Sequence, residues 1–279
     1  MNIDNFEKKY YESSRFWEPG ALEDTANLER IRITADMVPQ DVTSLVDAGC
    51  GNGIFLNRLL SERPNIISCG FDRSEEALKH VKVKKFIGAI NDIHLDNKSF
   101  DCVSCLEVIE HIPLNLYPIT LNELSRLSKK YLLISVPYDE DLLEDSTQCP
   151  ACKSIFNSNL HLRSYSTEVF SNLFNNYGFY CKNYILAGPR KGFKLHKEYR
   201  SIFYRSQFLQ WLSPICPICG FEQEEKATNS QQSISQQKSG PSIRSFITGI
   251  PKLIWPKEIK YYWIIGLFER IEFKTNIKS

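Results

Sequence analysis

The feature that most restricts this chain is a short apolar run, Val42 to Val46, that ends in Asp47-Ala48-Gly49-Cys50-Gly51-Asn52-Gly53 and passes into a helix-forming stretch from Ile54. Glycines so placed after a strand allow a tight turn and bring bare backbone close to a ligand. The Asp47 carboxylate then selects among ligands. At a strand end it repels a pyrophosphate but attracts an ammonium, directly or through water. Ile54 also stands where the dinucleotide fingerprint G-x-G-x-x-G needs its third glycine.

Downstream the pattern alternates. It predicts strands at Ile66–Phe71, Lys85–Gly88, Phe100–Leu106, Tyr131–Val136 and Phe179–Leu186, with helices from Ile54, from Ser74, over Leu121–Leu127 and over Thr167–Tyr177. Such alternation implies an α/β, doubly wound, mostly parallel sheet covered by helices on both faces. Two helical stretches precede it and end near Pro39. The pattern does not place a seventh strand. The expected organisation is an N-terminal helical lid over residues 1–40, a core over 41–187, and a C-terminal extension over 188–279. Within the extension, 223–242 is dominated by Gln, Ser, Lys and Glu and reads as a mobile loop.

Two further acids follow strands. Asp72 lies about twenty residues beyond the glycine turn, where a carboxylate can accept both hydroxyls of a ribose. Asn91-Asp92-Ile93 follows the third strand, where Asp92 can hold an adenine amino group and Ile93 can pack on the ring. With Asp47 these acids would line the carboxyl edge of the sheet, where ligands bind in this architecture.

The run VDAGCGNG, the acid after CGF, the NDI triplet and FDCVSCLEVIEHI together resemble the motifs of class I S-adenosylmethionine-dependent methyltransferases over roughly residues 40 to 187. The resemblance implies a Rossmann-like fold and S-adenosylmethionine as cofactor. It puts Asp47, Gly49, Gly51 and Gly53 around the methionyl part, Asp72 at the ribose, Asp92 and Ile93 at the adenine, and a backbone contact at Leu106.

Methyl transfer requires alignment of a nucleophile and removal of its proton. A helical turn over Glu107-Val108-Ile109-Glu110-His111 would put Glu107, Glu110 and His111 on one face, where they could bind a divalent ion. This E-x-x-E-H pattern resembles that of ubiquinone-pathway O-methyltransferases and small-RNA terminal 2′-O-methyltransferases, whose matching residues are associated with a divalent metal. The RNA enzymes use a further histidine, for which His161 is the nearest candidate. His111 is thus open to three readings: general base, metal ligand, or a side chain that only packs on the pocket wall.

Of nine cysteines, four form two similar knuckles, Cys149-Pro150-Ala151-Cys152 and Cys216-Pro217-Ile218-Cys219. Together they offer four thiolates to one tetrahedral ion, the pattern of a closed, structural zinc site. Two unrelated pairs, or redox dithiols, are the alternatives. Cys50, Cys69, Cys102, Cys105 and Cys181 read as small buried hydrophobes. The stretch from Cys149 to Phe170 is similar to methyltransferases of surface-polysaccharide and natural-product pathways, which implies O-methylation of a sugar, glycan or other small metabolite.

With 34 Lys and Arg against 33 Asp and Glu, the chain lacks the electrostatic footprint of a non-specific nucleic-acid binder. This weighs against an RNA terminal 2′-O-methyltransferase, the nearest enzymatic alternative. A non-catalytic zinc-clamped interaction module is the alternative of another class. The first residues read as neither signal nor transit peptide, so the expected location is cytoplasmic. Trp255, Tyr261, Tyr262 and Trp263, beside Lys252, Lys257 and Lys260, form an aromatic tail that either touches a membrane surface or protein partner or packs on the core.

Overall fold

The computed structural model describes residues 11–12, 17, 24–142, 146–193, 216, 218–221 and 257–272. The chain divides into two units. The larger holds Asn2–Leu142, Leu160–Pro189 and Tyr261–Ser279, and the smaller holds Leu143–Asn159 and Arg190–Lys260.

In the larger unit α1 (Thr25–Asp36) precedes β1 (Ser44–Ala48), followed by α2 (Ile54–Glu62), β2 (Ile67–Asp72), α3 (Glu75–Leu78), β3 (Lys84–Ile87), β4 (Phe100–Leu106), α4 (Tyr117–Leu127) and β5 (Ser128–Pro137). Further on come α5 (Thr167–Ser171), a single 3₁₀ turn (Asn175–Tyr177) and β8 (Phe179–Phe193), whose end from Arg190 falls in the smaller unit. The last strand is β9 (Lys257–Arg270), whose start up to Lys260 falls there too. Asp24 caps α1 by accepting from the amides of Ala26 and Asn27, and Ser74 and Ser166 cap α3 and α5 in the same manner.

The seven strands lie in the order β3-β2-β1-β4-β5-β9-β8. Strands β1 to β5 pair in parallel, and β9 runs antiparallel to β5. The seventh strand is therefore supplied by the segment expected to be an aromatic tail. Ile264, Ile265, Leu267 and Phe268 are buried, and Trp263 packs against the core beside them. Tyr262 remains exposed, while Trp255 and the 223–242 segment lie outside the described residues. Among the described residues no helix is long and apolar enough to cross a membrane.

The strands read as continuous apolar runs because both sheet faces are covered. Val46, Val103, Leu132 and Phe268 are in register and join Leu121, Leu124, Leu127, Phe170 and Phe174 on one face. Their neighbours Leu45, Cys102, Leu133 and Leu267 join Ile31 and Ala35 of α1 and Phe55, Leu56 and Leu59 of α2 on the other. Cys50, Cys69, Cys102 and Cys105 are buried as expected, and Cys181 is half-buried.

Gly266 in β9 lets the Phe170 ring lie directly on the strand backbone on that first face. A Cβ there would stand 2.3 Å from Phe170 Cε1. Gly266→Ala is expected to destabilise the protein by about 1–3 kcal/mol through overpacking, read as a lowered denaturant midpoint at unchanged m-value.

The smaller unit carries a two-stranded antiparallel ribbon, β6 (Ser146–Gln148) and β7 (Ile155–Asn157), with Ser146 opposite Asn157.

Candidate functional site

Parallel strands all point their carboxyl ends to one edge, and the loops there enclose a cavity of about 420 Å³. Its lining includes Gly49 after β1, Asp72 and Arg73 after β2, Gly88 to Asn91 after β3, and Glu107, Val108 and His111 after β4. Tyr11 and Trp17 cover it from the N-terminal side, and Ile112, Pro113 and Leu116 complete an apolar wall.

The glycine turn explains itself sterically. Gly49, Gly51 and Gly53 have φ of +81°, +51° and +77°, a region L side chains avoid. A Cβ on Gly49 would meet Val108 at 2.5 Å, and one on Gly51 would meet the Trp17 ring at 2.8 Å. The turn is tied to β2 by the Gly49 and Cys50 amides, which both donate to Phe71 O.

Asp72 is buried and its two carboxylate oxygens accept from the amides of Gly51 (2.8 Å) and Ser74 (2.9 Å). Burial raises its pKa against the pull of those hydrogen bonds. The side chain thus both lines the cavity and braces the glycine turn. Asp47 sits deeper, outside the lining, and accepts from Ser104 Oγ at 2.7 Å. Burial pushes its pKa up to about 7, with the Asp72 charge adding and Ser104 and Arg30 opposing.

The adenine expectation fares differently by residue. Asn91 lines the cavity, as do Ala89 and Ile90. The Asp92 side chain is instead turned out to solvent beside His94, and Ile93 is buried in the core. Leu106 packs against the core at the end of β4 and is not among the lining residues.

Glu107 to His111 do not form a helix. Glu107 takes a left-handed conformation, φ +58°, and its Oε1 accepts from Ser135 Oγ at 2.5 Å and lies 3.9 Å from Arg30 Nη1. Its carboxylate is thereby engaged by Ser135 and Arg30. The ligand group that does converge is Glu110, His111 and His161, each bringing one donor atom within 4.8 Å of the others. Glu107 is not in it, which corrects the expected triad and brings in the more distant histidine.

Glu110 is fully buried, and among the described residues neither of its carboxylate oxygens has a hydrogen-bond partner. Burial and then the nearby Glu107 push its pKa well up. His111 Nδ1 faces Leu160 O at 3.4 Å, a carbonyl that only accepts, so the proton belongs on Nδ1 and the lone pair on Nε2. That Nε2 lies 3.9 Å from Glu110 Oε1. Burial, then His161, lowers the His111 pKa to about 3, so the pair is no salt bridge at neutral pH.

The four knuckle cysteines also converge, all in the smaller unit. The two knuckles fold alike. Lys153 and Gly220 each follow the second cysteine with φ of +63° and +73°, and their amides donate back to Cys149 O and Cys216 O. The Cys149–Cys219 and Cys152–Cys216 sulfur pairs are both 3.7 Å apart. A disulfide needs about 2.05 Å. Four sulfurs about 2.3 Å from one tetrahedral ion are about 3.8 Å apart, so the cluster has the dimensions of a four-thiolate zinc site.

Residues missed in the sequence include Trp17, Tyr11 and Arg30, the last buried on α1 and stacked 5.6 Å over Trp263. Nothing in local periodicity marks a residue whose partners are so distant in the chain.

A search of curated proteins finds no match. Among solved structures the chain resembles a chain from the complex of the Haloferax volcanii Trm112 methyltransferase activator with a methyltransferase partner (TM-score 0.53, 12% identity, covering 98% of this chain and 99% of that one). It also resembles a Thermotoga maritima SAM-dependent methyltransferase (TM-score 0.51, 16% identity, 97% and 100% covered). A third is the magnesium protoporphyrin IX methyltransferase of Synechocystis with bound SAH (TM-score 0.50, 15% identity, 68% and 94% covered). At these identities the likeness establishes the fold. The family model described as a methyltransferase domain matches residues 22–183, from α1 into β8. The chain belongs to the methyltransferase-domain family.

Proposed function

We propose that the protein is an S-adenosylmethionine-dependent O-methyltransferase acting on a hydroxyl of a sugar, glycan or other small metabolite. The observation that carries this reading is that the glycine turn, Asp72 and His111 border one cavity at the carboxyl edge of the sheet. The Cβ-free backbone at Gly49 and the buried Asp72, both in the cavity lining, suit a ligand that has both a ribose and a cationic amino acid end. When bound, that cofactor supplies an electrophilic sulfonium methyl.

The rest of the chemistry falls to the chain. Asp72 holds the ribose, Asn91 meets the adenine side, and Trp17, Ile112, Pro113 and Leu116 keep water from the reacting groups. His111 stands beside the acceptor with the lone pair on Nε2, which at a pKa of about 3 stays unprotonated at neutral pH and open to a proton in transit or to a cation. The partnerless carboxylate of Glu110 favours a second component, a divalent cation held by Glu110, His111 and His161 that would make the acceptor hydroxyl more acidic. The four knuckle cysteines would hold a structural zinc ion, closed to substrate.

Calorimetry with S-adenosylhomocysteine tests the cofactor reading. The wild type is expected to bind, and Asp72→Asn to bind roughly ten- to a hundred-fold more weakly, the effect of about 1.5–3 kcal/mol for one charge-assisted hydrogen bond. Asparagine keeps an acceptor for only one of the two amides and sets an NH2 group against the other, so the melting temperature of the variant is measured alongside its affinity. Absent binding, or equal affinity in the two proteins, would sink it.

A further inference from the structure

Glu140 belongs to none of the motifs above. It lies just beyond β5, at the same carboxyl edge, and its Oε2 is 2.6 Å from His161 Nδ1. Both side chains are nearly buried, at 12% and 13% exposure, so the contact is not a passing surface pair.

The backbone around it is stapled on two sides. Toward β5, Tyr138 bridges Tyr165 and the Asp139 amide donates to Tyr165 O at 2.9 Å, with Asp139 in the left-handed region at φ +43°. Toward the loop after β4, the Leu162 amide donates to Glu110 O, and Arg163 Nη1 donates to Ile109 O while the guanidinium stacks 3.8 Å over Tyr117. His161 is therefore clamped between Glu140 and His111, whose rings meet edge-on at 4.8 Å.

A carboxylate only accepts, so Nδ1 of His161 carries the proton and Nε2 is left as a lone-pair donor. His111 reaches the same state through Leu160 O. Two imidazoles with their second nitrogens committed, beside a buried carboxylate with both oxygens unpartnered, have the construction of a metal site whose outer shell is already in place. An ion about 2.1 Å from each donor needs donors no more than about 4.2 Å apart; the His111–Glu110 pair at 3.9 Å meets this, and a His161 ring nitrogen lies within 4.8 Å of both.

We infer that Glu140 is a positioning residue that fixes His161 as an Nε2 ligand, and that the resulting two-histidine, one-carboxylate site takes a first-row transition ion in preference to Mg²⁺. Imidazole nitrogen suits such ions, whereas Mg²⁺ is held by oxygen and keeps its waters. The inference rests on the cation reading above and adds both the selecting chemistry and the residue that enforces it.

The test is a titration with Mn²⁺ of the full chain carrying a single equivalent of zinc, which the four thiolates hold, followed by loss of the free-ion electron paramagnetic resonance signal. One Mn²⁺ per chain is expected to bind and to withstand a hundred-fold excess of Mg²⁺. Glu140→Gln is expected to weaken Mn²⁺ binding about ten- to a hundred-fold, with zinc content, melting temperature and S-adenosylhomocysteine affinity unchanged. Wild-type Mn²⁺ affinity in Glu140→Gln overturns the positioning role, and displacement by equimolar Mg²⁺ overturns the ion class. No Mn²⁺ binding by the wild type overturns the cation reading and this inference with it, while cofactor binding stands on its own calorimetry. Should Glu140→Gln fail to fold, Glu140→Asp, which draws the charge back from His161, decides: weakened binding supports the role, and unchanged binding refutes it.

Discussion

His111→Ala is expected to lower turnover of the acceptor about a hundred-fold or more while leaving cofactor affinity nearly unchanged. The imidazole lines the cavity from the loop after β4, whereas Asp72 and the Gly88–Asn91 segment that would hold the cofactor come from the loops after β2 and β3. Removing it should therefore tax the chemical step and spare cofactor binding. Glu110→Ala should be similarly harmful and chelation should suppress the rate reversibly if the residues act through a cation. Activity that ignores chelators would leave His111 as a base alone. Turnover close to wild type in His111→Ala would leave neither role.

Cys149→Ser is expected to remove the bound zinc and with it the order of the smaller unit. The wild type should contain one zinc per chain by elemental analysis. Structural zinc sites bind with apparent free energies of about 10–16 kcal/mol, and because the site is assembled only on folding, that energy is folding energy. Little else is available locally: apart from the ends of β8 and β9, the unit's described secondary structure is a ribbon of two three-residue strands. Limited proteolysis should thus cut the variant within residues 146–157 where the wild type resists. Metal-free protein that is folded, resistant and active would refute the assignment.

How much of this was legible in the sequence depends on how local each cause is. The expected strand Phe100–Leu106 coincides with β4, because an apolar run covered on both faces announces itself. The expected helix over Thr167–Tyr177 is instead α5 followed by a 3₁₀ turn, since Phe170 and Phe174 are fixed by contact with Phe268, far off in sequence. Strand β9 escapes recognition for the same reason: Lys-Glu-Ile-Lys-Tyr-Tyr reads as a polar aromatic tail, and only pairing with β5 makes it a strand.

In the site, glycine turns and strand-end acids are legible because strand direction alone brings them to one edge. Side-chain direction is not. The left-handed backbone at Glu107 turns that carboxylate to Ser135 and Arg30, and no spacing rule built on a helix foresees it. His161 enters through the Leu162 and Arg163 staples, again a tertiary cause.

The place of β9 between β5 and β8 bears on how the molecule comes to be made. As the chain emerges in order, β5 and β8 are both complete while the strand that separates them does not yet exist. The whole cysteine-bearing stretch must be synthesised first. Until then β5 presents an open, apolar edge, from Tyr131 to Pro137, to whatever is nearby. Such an edge can pair wrongly with another nascent copy, and pairing so remote in sequence is slow to form. Biogenesis of this protein is therefore most vulnerable late, in the interval before residues 257–270 leave the ribosome and close the sheet.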